Sequence, residues 1–211
     1  MALPSEKLIT INDRGARVAT TFGSVSAGGA NMVFIKKLTA SSSGTLSFVD
    51  GADSVVLDST YKEYYFTFNN LHSSSNTGLF QVNFSADTGS NYNVVKTTTY
   101  YSAYHNENGT SATLEYSTSQ DLAEDAGFQK LAGTVSADND HALCGYLRLF
   151  NPSSTTFVKN FMWSCNYGYE TGTENPFGSG YFNTTSDIDA VRFQMTSDAI
   201  DAGDICLYGI A

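Results

Sequence analysis

Residue types that do chemistry are few and scattered in this sequence. Three histidines would have to supply any catalytic triad or zinc site, and three isolated cysteines without C-x-x-C spacing predict neither a disulfide framework nor a zinc centre. The chain contains no Walker loop and no G-x-G-x-x-G that follows a strand and opens a helix. We therefore expect no cofactor.

The carboxylates of Asp138 and Asp140 are the best-placed metal ligands, since they flank Asn139 and lie beside His141. Hard oxygen donors this close together could bind calcium in a loop. The EF-hand spacing is absent, however, and such a run is more often a solvated turn. We predict no metal site, with Asp138 and Asp140 as the residues to test.

Paired carboxylates could serve glycoside hydrolysis at suitable separations. Glu124 with Asp125, or Asp198 with Asp201 and Asp204, are such groups, but a chain with 21 acidic residues contains them by chance. Nothing in the sequence marks one of them as buried with a shifted pKa. The chain is predicted not to be an enzyme.

Aromatic residues gather around a Gly-rich stretch, residues 167–179, which the sequence predicts to be a long loop. They are Trp163, Tyr167, Tyr169, Phe177 and Tyr181. Aromatic faces beside Asn and Asp are typical of sugar-binding surfaces, where rings stack on the apolar C–H patches of a saccharide. The alternative is core and loop packing in a domain that is 13% aromatic.

Charge is unevenly distributed along the chain, whose formal net charge is −10. Residues 1–40 carry five Lys and Arg against two acids, a balance of +3, whereas residues 41–211 carry six against nineteen, a balance of −13. The first 32 residues, with Lys7, Arg14 and Arg17, are interpreted as an arm that docks on an acidic partner, ordinary unevenness being the alternative. The acidic body lacks the cationic excess that nucleic-acid binding needs.

Composition and periodicity predict an all-β fold. The chain has 14 Phe, 13 Tyr and 18 Gly but 15% charged residues, against a norm of roughly 25%. Tyr64, Phe66 and Phe68 alternate with more polar residues, as on a half-buried strand. Asn108-Gly109 predicts a hairpin within a meander over residues 80–117, and Pro152 marks the turn of a second hairpin. Residues 119–130 are expected to form at most one or two helical turns.

These elements predict an antiparallel two-sheet sandwich of the jelly-roll kind. Residues 33–211 form its body, residues 1–32 form an extended N-terminal arm, and the apolar segment 205–210 is expected to be a strand within a sheet. No run approaches the ~18 apolar residues of a membrane helix, and no signal peptide is recognised, so neither membrane insertion nor secretion is expected.

Six short stretches of the body carry a resemblance to a known family. They are Thr45-Leu46-Ser47-Phe48, Asp58-Ser59-Thr60-Tyr61-Lys62-Glu63-Tyr64, Phe68-Asn69-Asn70-Leu71-His72, Leu149-Phe150-Asn151-Pro152, Gly180-Tyr181-Phe182-Asn183-Thr184-Thr185 and Gly203-Asp204-Ile205-Cys206-Leu207-Tyr208-Gly209-Ile210. Because the six stretches occur in this order, residues 33–211 resemble small virion structural proteins of tailed phages, particularly phages of marine bacteria. The resemblance implies a virion component without enzyme activity and transfers no catalytic residues.

The sequence therefore predicts a non-enzymatic virion protein, made in the cytoplasm of a bacterial host and displayed on the particle as a homotrimer. Its arm would bind the major capsid protein or a tail protein. Head decoration is favoured over a tail fibre because no shaft-forming heptad run is present. The alternatives are a tail-attached fibre or adaptor and a carbohydrate-binding module that contacts host glycans; a depolymerase is disfavoured for want of a recognisable carboxylate site.

Overall fold

Twelve β-strands make up the described part of the chain, residues 32–169 and 171–211 of a computed structural model. They are β1 (Met32–Thr39), β2 (Leu46–Val49), β3 (Glu63–Ser73), β4 (Leu79–Ser85), β5 (Lys96–Asn106), β6 (Ala112–Tyr116), β7 (Gln129–Thr134), β8 (Leu143–Phe150), β9 (Asn160–Tyr169), β10 (Gly172–Phe182), β11 (Ala190–Met195) and β12 (Ile200–Ile210). Among these residues the structure has no helix that could span a membrane. The predicted all-β class is confirmed.

The strands form two antiparallel sheets that pack face to face. The large sheet has the order β1-β12-β3-β8-β9-β10-β5-β6, and the small sheet has the order β2-β11-β4-β7. Aromatic rings join the layers: Phe48 of β2 lies 5.3 Å from Phe66 of β3, and Phe84 of β4 lies 4.6 Å from Phe182 of β10, centroid to centroid. The predicted sandwich is therefore present.

Eight of the strands follow a jelly-roll pattern, in which one long antiparallel ribbon is wrapped into two sheets. These eight are the strands other than β5, β6, β9 and β10. Taken in chain order, the first pairs with the last, the second with the second to last, and so on: β1 with β12, β2 with β11, β3 with β8 and β4 with β7. The other four strands form two hairpins, β9–β10 and β5–β6, which extend the large sheet beyond β8. This extension carries most of the surface described below.

The core lies between the sheets and is strongly aromatic. Tyr64, Phe66 and Phe68 of β3 are at most 1% exposed, as their alternation predicts. Phe193 of β11 packs against Phe66 and Phe68 with centroid distances of 5.4 and 5.3 Å. Since aromatic side chains bury large apolar areas, this cluster dominates the adhesion of the two layers.

Three local predictions hold. Asn108-Gly109 turns β5 into β6, with Gly109 at a φ of +71°. The segment around Pro152 connects β8 and β9, which pair with each other. The apolar C-terminal segment is part of β12, which lies between β1 and β3.

The predicted helical turns in residues 119–130 are wrong. This segment is non-helical, and Gln129, at its end, begins strand β7. Gln129 is fully buried, where its Oε1 accepts a hydrogen bond from the Thr98 hydroxyl (2.6 Å) and its Nε2 donates to the Gln120 carbonyl (3.0 Å). These tertiary hydrogen bonds override a weak local helix propensity.

The predicted loop at residues 167–179 is also wrong, because most of it belongs to β9 and β10. Its glycines permit close approach between strands rather than a turn: a Cβ on Gly178 would lie 2.5 Å from the Trp163 ring. Pro176 lies opposite Cys165 of β9 and has no backbone N–H to donate to the Cys165 carbonyl. The side-chain Nδ2 of Asn175 donates to this carbonyl instead.

The predicted meander over residues 80–117 is interrupted. β4 belongs to the small sheet and β5 to the large one, so the chain crosses between layers after β4. A local pattern of turns cannot reveal such a crossing. The predicted arm, residues 1–32, lies outside the described residues except for Met32, which begins β1.

Candidate functional site

Aromatic side chains cross the outward face of the large sheet, which no further layer covers within residues 32–169 and 171–211. Strand pairing places Tyr146, Ser164, Phe177, Tyr101 and Tyr116 side by side on β8, β9, β10, β5 and β6. The rings of Phe177 and Tyr101 stack, with centroids 5.5 Å apart and planes 11° from parallel. Tyr101 in turn meets Tyr116 edge to face at 5.1 Å. An exposed aromatic surface of this kind, interrupted here by Ser164, is typical of a contact site.

A shallow groove follows the strands away from this row. We call it the outer groove and define it by its outward-facing side chains, which are Thr97, Thr99, Tyr101, Tyr146, Phe150, Asn160, Met162, Ser164, Phe177, Ser179 and Tyr181. Two hollows of about 480 and 390 Å³ make it up, and they share Thr99, Met162 and Ser179. The shared residues join the hollows into one groove along β9, β10 and β5.

The groove arises from how β9 and β10 divide their large side chains. On β9, Phe161 and Trp163 point inward and are 1% and 2% exposed. On β10, Gly178 faces inward against Trp163, while Phe177 and Tyr181 point outward. Aromatic rings therefore stand at both ends of the groove, with smaller side chains between them.

The outer groove is uncharged, and the cation at its border is neutralised. Arg148 of β8 forms a bidentate ion pair with Glu63 of β3, with N–O distances of 2.5 and 2.9 Å. Hydrogen bonding to Glu63 raises the pKa of Arg148 above its ordinary value, so the guanidinium keeps its charge. The guanidinium also lies 5.3 Å from the centre of the Phe150 ring. The field of this pair is therefore small at the groove.

The five aromatic residues predicted to contact glycans are divided between the two faces. Trp163 and Tyr167 are core residues, each 2% exposed, and the Tyr167 hydroxyl donates to Glu174 Oε2 at 2.5 Å. Neither ring can stack on a saccharide from solvent. Phe177 and Tyr181 line the outer groove, whereas the side chain of Tyr169 lies outside the described residues.

The predicted docking cations Lys7, Arg14 and Arg17 also lie outside the described residues. The other two basic residues of the segment 1–40, Lys36 and Lys37, belong to β1. Lys37 pairs with Asp204 at 3.0 Å, and the Lys36 ammonium donates to the Asp53 carbonyl at 3.0 Å. Part of the basic excess therefore serves the sandwich itself.

Asp138, Asp140 and His141 come together in the loop between β7 and β8. Their ligand atoms lie within 4.8 Å of one another, and both carboxylates are on exposed residues. Calcium takes about six to eight oxygen ligands, more than this cluster offers. The cluster alone does not constitute a metal site.

The acidic pairs considered for hydrolysis are surface groups with local partners. Asp198 accepts a hydrogen bond from Ser75, Asp201 accepts one from Ser42, and Asp204 accepts from Thr39 and Lys37. Hydrogen bonds from Thr39 and Lys37 lower the pKa of Asp204. This is the environment of an ionised surface carboxylate and not of a general acid, whose pKa must be raised.

The sequence analysis missed Tyr101, Tyr146 and Met162. A signal existed for two of them: Tyr101 follows Tyr100 on a strand, and Met162 lies between Phe161 and Trp163, so neighbouring side chains must face opposite ways. The pairing of β10 with β5, which brings Phe177 against Tyr101, joins segments distant in sequence and leaves no local trace.

Comparison with known proteins returned no matching family model, curated protein or solved structure. The case for a site therefore rests on geometry. The outer groove, an uncharged aromatic surface on the extension of a jelly roll, is the candidate functional site.

Proposed function

We propose that the protein is a non-enzymatic structural subunit of a virion, displayed on the particle as a homotrimer. Head decoration is its favoured location, and a tail-attached fibre or adaptor is the alternative. In this proposal residues 1–32 bind the major capsid protein or a tail protein, and the sandwich presents its contact face to the surroundings. The protein is made in the cytoplasm of a bacterial host and has no nucleic-acid or membrane partner.

The uncovered aromatic face of the large sheet is the observation that carries this proposal. Tyr101, Met162 and Tyr181 are 38%, 40% and 39% exposed on that face. Contiguous exposed patches of this type are rare in monomeric proteins unless they make contacts. Jelly rolls are frequent in viral capsid and lectin domains, which is a fold-level analogy in the same direction.

Removal of the arm tests the mode of attachment. A chain lacking residues 1–31 keeps Met32 as the start of β1, so we expect it to fold. The shortened chain should not co-sediment with particles of a phage whose gene for this protein has been deleted, whereas the full chain should co-sediment with them. A full-length Phe157→Ala variant is the matched control, because Phe157 is 74% exposed in the loop between β8 and β9 and lies outside the arm.

Two outcomes would contradict the proposal at different levels. Co-sedimentation of the shortened chain would contradict attachment through residues 1–31. Failure of the full chain to bind particles, together with its absence from wild-type particles by mass spectrometry, would contradict a virion role.

Native mass spectrometry tests the oligomeric state. We expect a species of three chains of 22.7 kDa each. A monomer at micromolar concentration would contradict the trimer. Release of reducing ends from host polysaccharide by the purified protein would contradict the non-enzymatic assignment.

A carbohydrate-binding module is the second candidate function. The stacked pair Phe177–Tyr101 at one end of the outer groove and Tyr181 at the other favour it. A displayed virion protein can also bind a glycan, so this candidate is compatible with the first.

A further inference from the structure

The geometry points to the outer groove as a binding site for a neutral oligosaccharide of about three linked sugar rings. The inference rests on the proposed function to the extent that the groove must face the host. It specifies the glycan more closely than the sequence prediction does, and it replaces the buried Trp163 and Tyr167 with residues of the outer groove.

The first argument is the order of side chains along the groove. Phe177 and Tyr181 stand on one strand with Ser179 between them. Thr99 of β5 lies opposite Ser179, and Asn160 of β9 lies opposite Tyr181. Aromatic faces stack on the C–H patches of a sugar, while hydroxyl and amide groups exchange hydrogen bonds with its hydroxyls. Platforms at the ends and polar groups in the middle match a ligand with both kinds of surface.

The second argument is length. Phe177 and Tyr181 are four residues apart on a strand, which at ~3.4 Å per residue separates them by about 14 Å. A chain of about three sugar rings spans that distance. A monosaccharide would reach one aromatic platform and leave the other unused, so affinity should rise with chain length.

The third argument is charge. Residues 41–211 carry a balance of −13, yet the outer groove has no charged member, and Arg148 at its border is paired with Glu63. The negative electrostatic potential of residues 41–211 disfavours an anionic polysaccharide, and the residues of the groove include no cation that would offset this potential. The complementary ligand is therefore neutral.

A peptide is a poorer fit than a saccharide. Both β9 and β10 are interior strands, hydrogen-bonded to a neighbour on either side, so an extended peptide finds no free edge there to pair with. A peptide on this face would depend on side-chain contacts alone. A saccharide uses those contacts in any case.

The test is binding of the full-length protein to an array of neutral and anionic glycans, followed by affinity electrophoresis in gels that contain dextran, mannan or alginate. We expect binding to at least one neutral glycan class, stronger for trisaccharides than for monosaccharides, and none to alginate. Tyr181→Ala and Phe177→Ala should each weaken that binding about tenfold, since a stacking platform is lost. Phe34→Ala removes a 57% exposed aromatic from edge strand β1, which β12, β3 and β8 separate from β9, and should bind like the wild type.

Each contrary outcome is decisive. Binding to no neutral glycan, or binding that Tyr181→Ala and Phe177→Ala leave unchanged, overturns the inference, and so does preference for an anionic glycan. A change of oligomeric mass in these variants would instead identify the groove as a subunit interface. Particle co-sedimentation separates the two proposals. A protein that binds particles but no glycan contradicts this inference alone. A protein that binds glycan but neither binds particles nor occurs in wild-type particles contradicts the virion role.

Discussion

The two faces of the large sheet use the same residue types for opposite tasks. On β9, Phe161 and Trp163 fill the core and are 1% and 2% exposed, while Met162 between them faces outward and is 40% exposed. On β10 the arrangement is reversed, because Gly178 faces the core and Phe177 faces the outer groove. Large side chains that fill the core from β9 thus require glycine on β10.

The comparison shows that the core and the groove depend on one register. A slip of one residue between β9 and β10 would turn every side chain of the slipped strand to the other face. Burial of Trp163 fixes that register, since its ring occupies the space left by Gly178. The outward position of Phe177 and Tyr181 is therefore a consequence of core packing.

The largest expected loss of stability comes from truncating Phe161, which faces the core, and not its outward-facing neighbour Met162. Phe161→Ala should lower the free energy of unfolding by about 3–5 kcal/mol, because it leaves a cavity among Phe84, Trp163 and Phe182. Met162→Ala, one residue away on the outward face, should change it by about 0.5 kcal/mol or less. Urea denaturation followed by tryptophan fluorescence measures both. Equal losses would contradict the division of roles between the faces.

The sequence predicted the elements better than their assembly. Alternation placed Tyr64, Phe66 and Phe68 on the core face, and Asn108-Gly109 located the hairpin between β5 and β6. These are local signals, read over a few residues. The pairing of β12 with both β1 and β3 joins distant segments, and only the fold class suggested it.

The candidate site was predicted in part. Phe177 and Tyr181 lie in the outer groove, whereas Trp163 and Tyr167 belong to the core. The error came from reading the glycines of residues 167–179 as loop residues, which made all nearby rings seem accessible. Glycine in a strand can instead mark close approach of a neighbouring side chain, and that distinction needs the partner strand.

A second, smaller loss of stability is expected on β10, where Gly178 faces the core and its neighbour Ser179 faces the outer groove. In Gly178→Ala the new Cβ would lie 2.2 Å from the Thr99 carbonyl oxygen and 2.5 Å from the Trp163 ring. Because a backbone atom cannot move aside easily, we expect a loss of about 1–3 kcal/mol. Ser179→Ala, on the groove side, should cost about 0.5 kcal/mol or less, as judged by thermal and urea unfolding. If Gly178→Ala were as stable as Ser179→Ala, close packing of Trp163 on β10 would be refuted.

The interior also differs from the outer face in how it holds charge. Arg148 and Glu63 on the outer face neutralise each other, whereas Lys96 at the start of β5 is fully buried. The Lys96 ammonium donates to Asn83 Oδ1 of β4 at 2.8 Å and to the Val94 carbonyl at 2.9 Å. Burial lowers the pKa of Lys96 to about 8, and the charge of Asp125 opposes that shift only in part.

The smallest expected effect is a pH dependence that comes from Lys96. Between pH 8 and its ordinary pKa of 10.5, the folded protein has released a proton that the unfolded chain still holds, so stability should rise with pH in this window. From roughly pH 7.5 to 9 the gain should be on the order of 1 kcal/mol, and Lys96→Met should abolish it. Burial also raises the pKa values of Cys165, Tyr64 and Tyr100, so stability falls, equally in both proteins, as pH rises past the ordinary pKa of each group, which is 9.0 for the thiol. Lys96→Gln serves as a second variant that keeps a donor for Asn83, and urea denaturation across the series measures the slope. A slope that persists in both variants would mean that another group titrates and that Lys96 keeps its proton throughout.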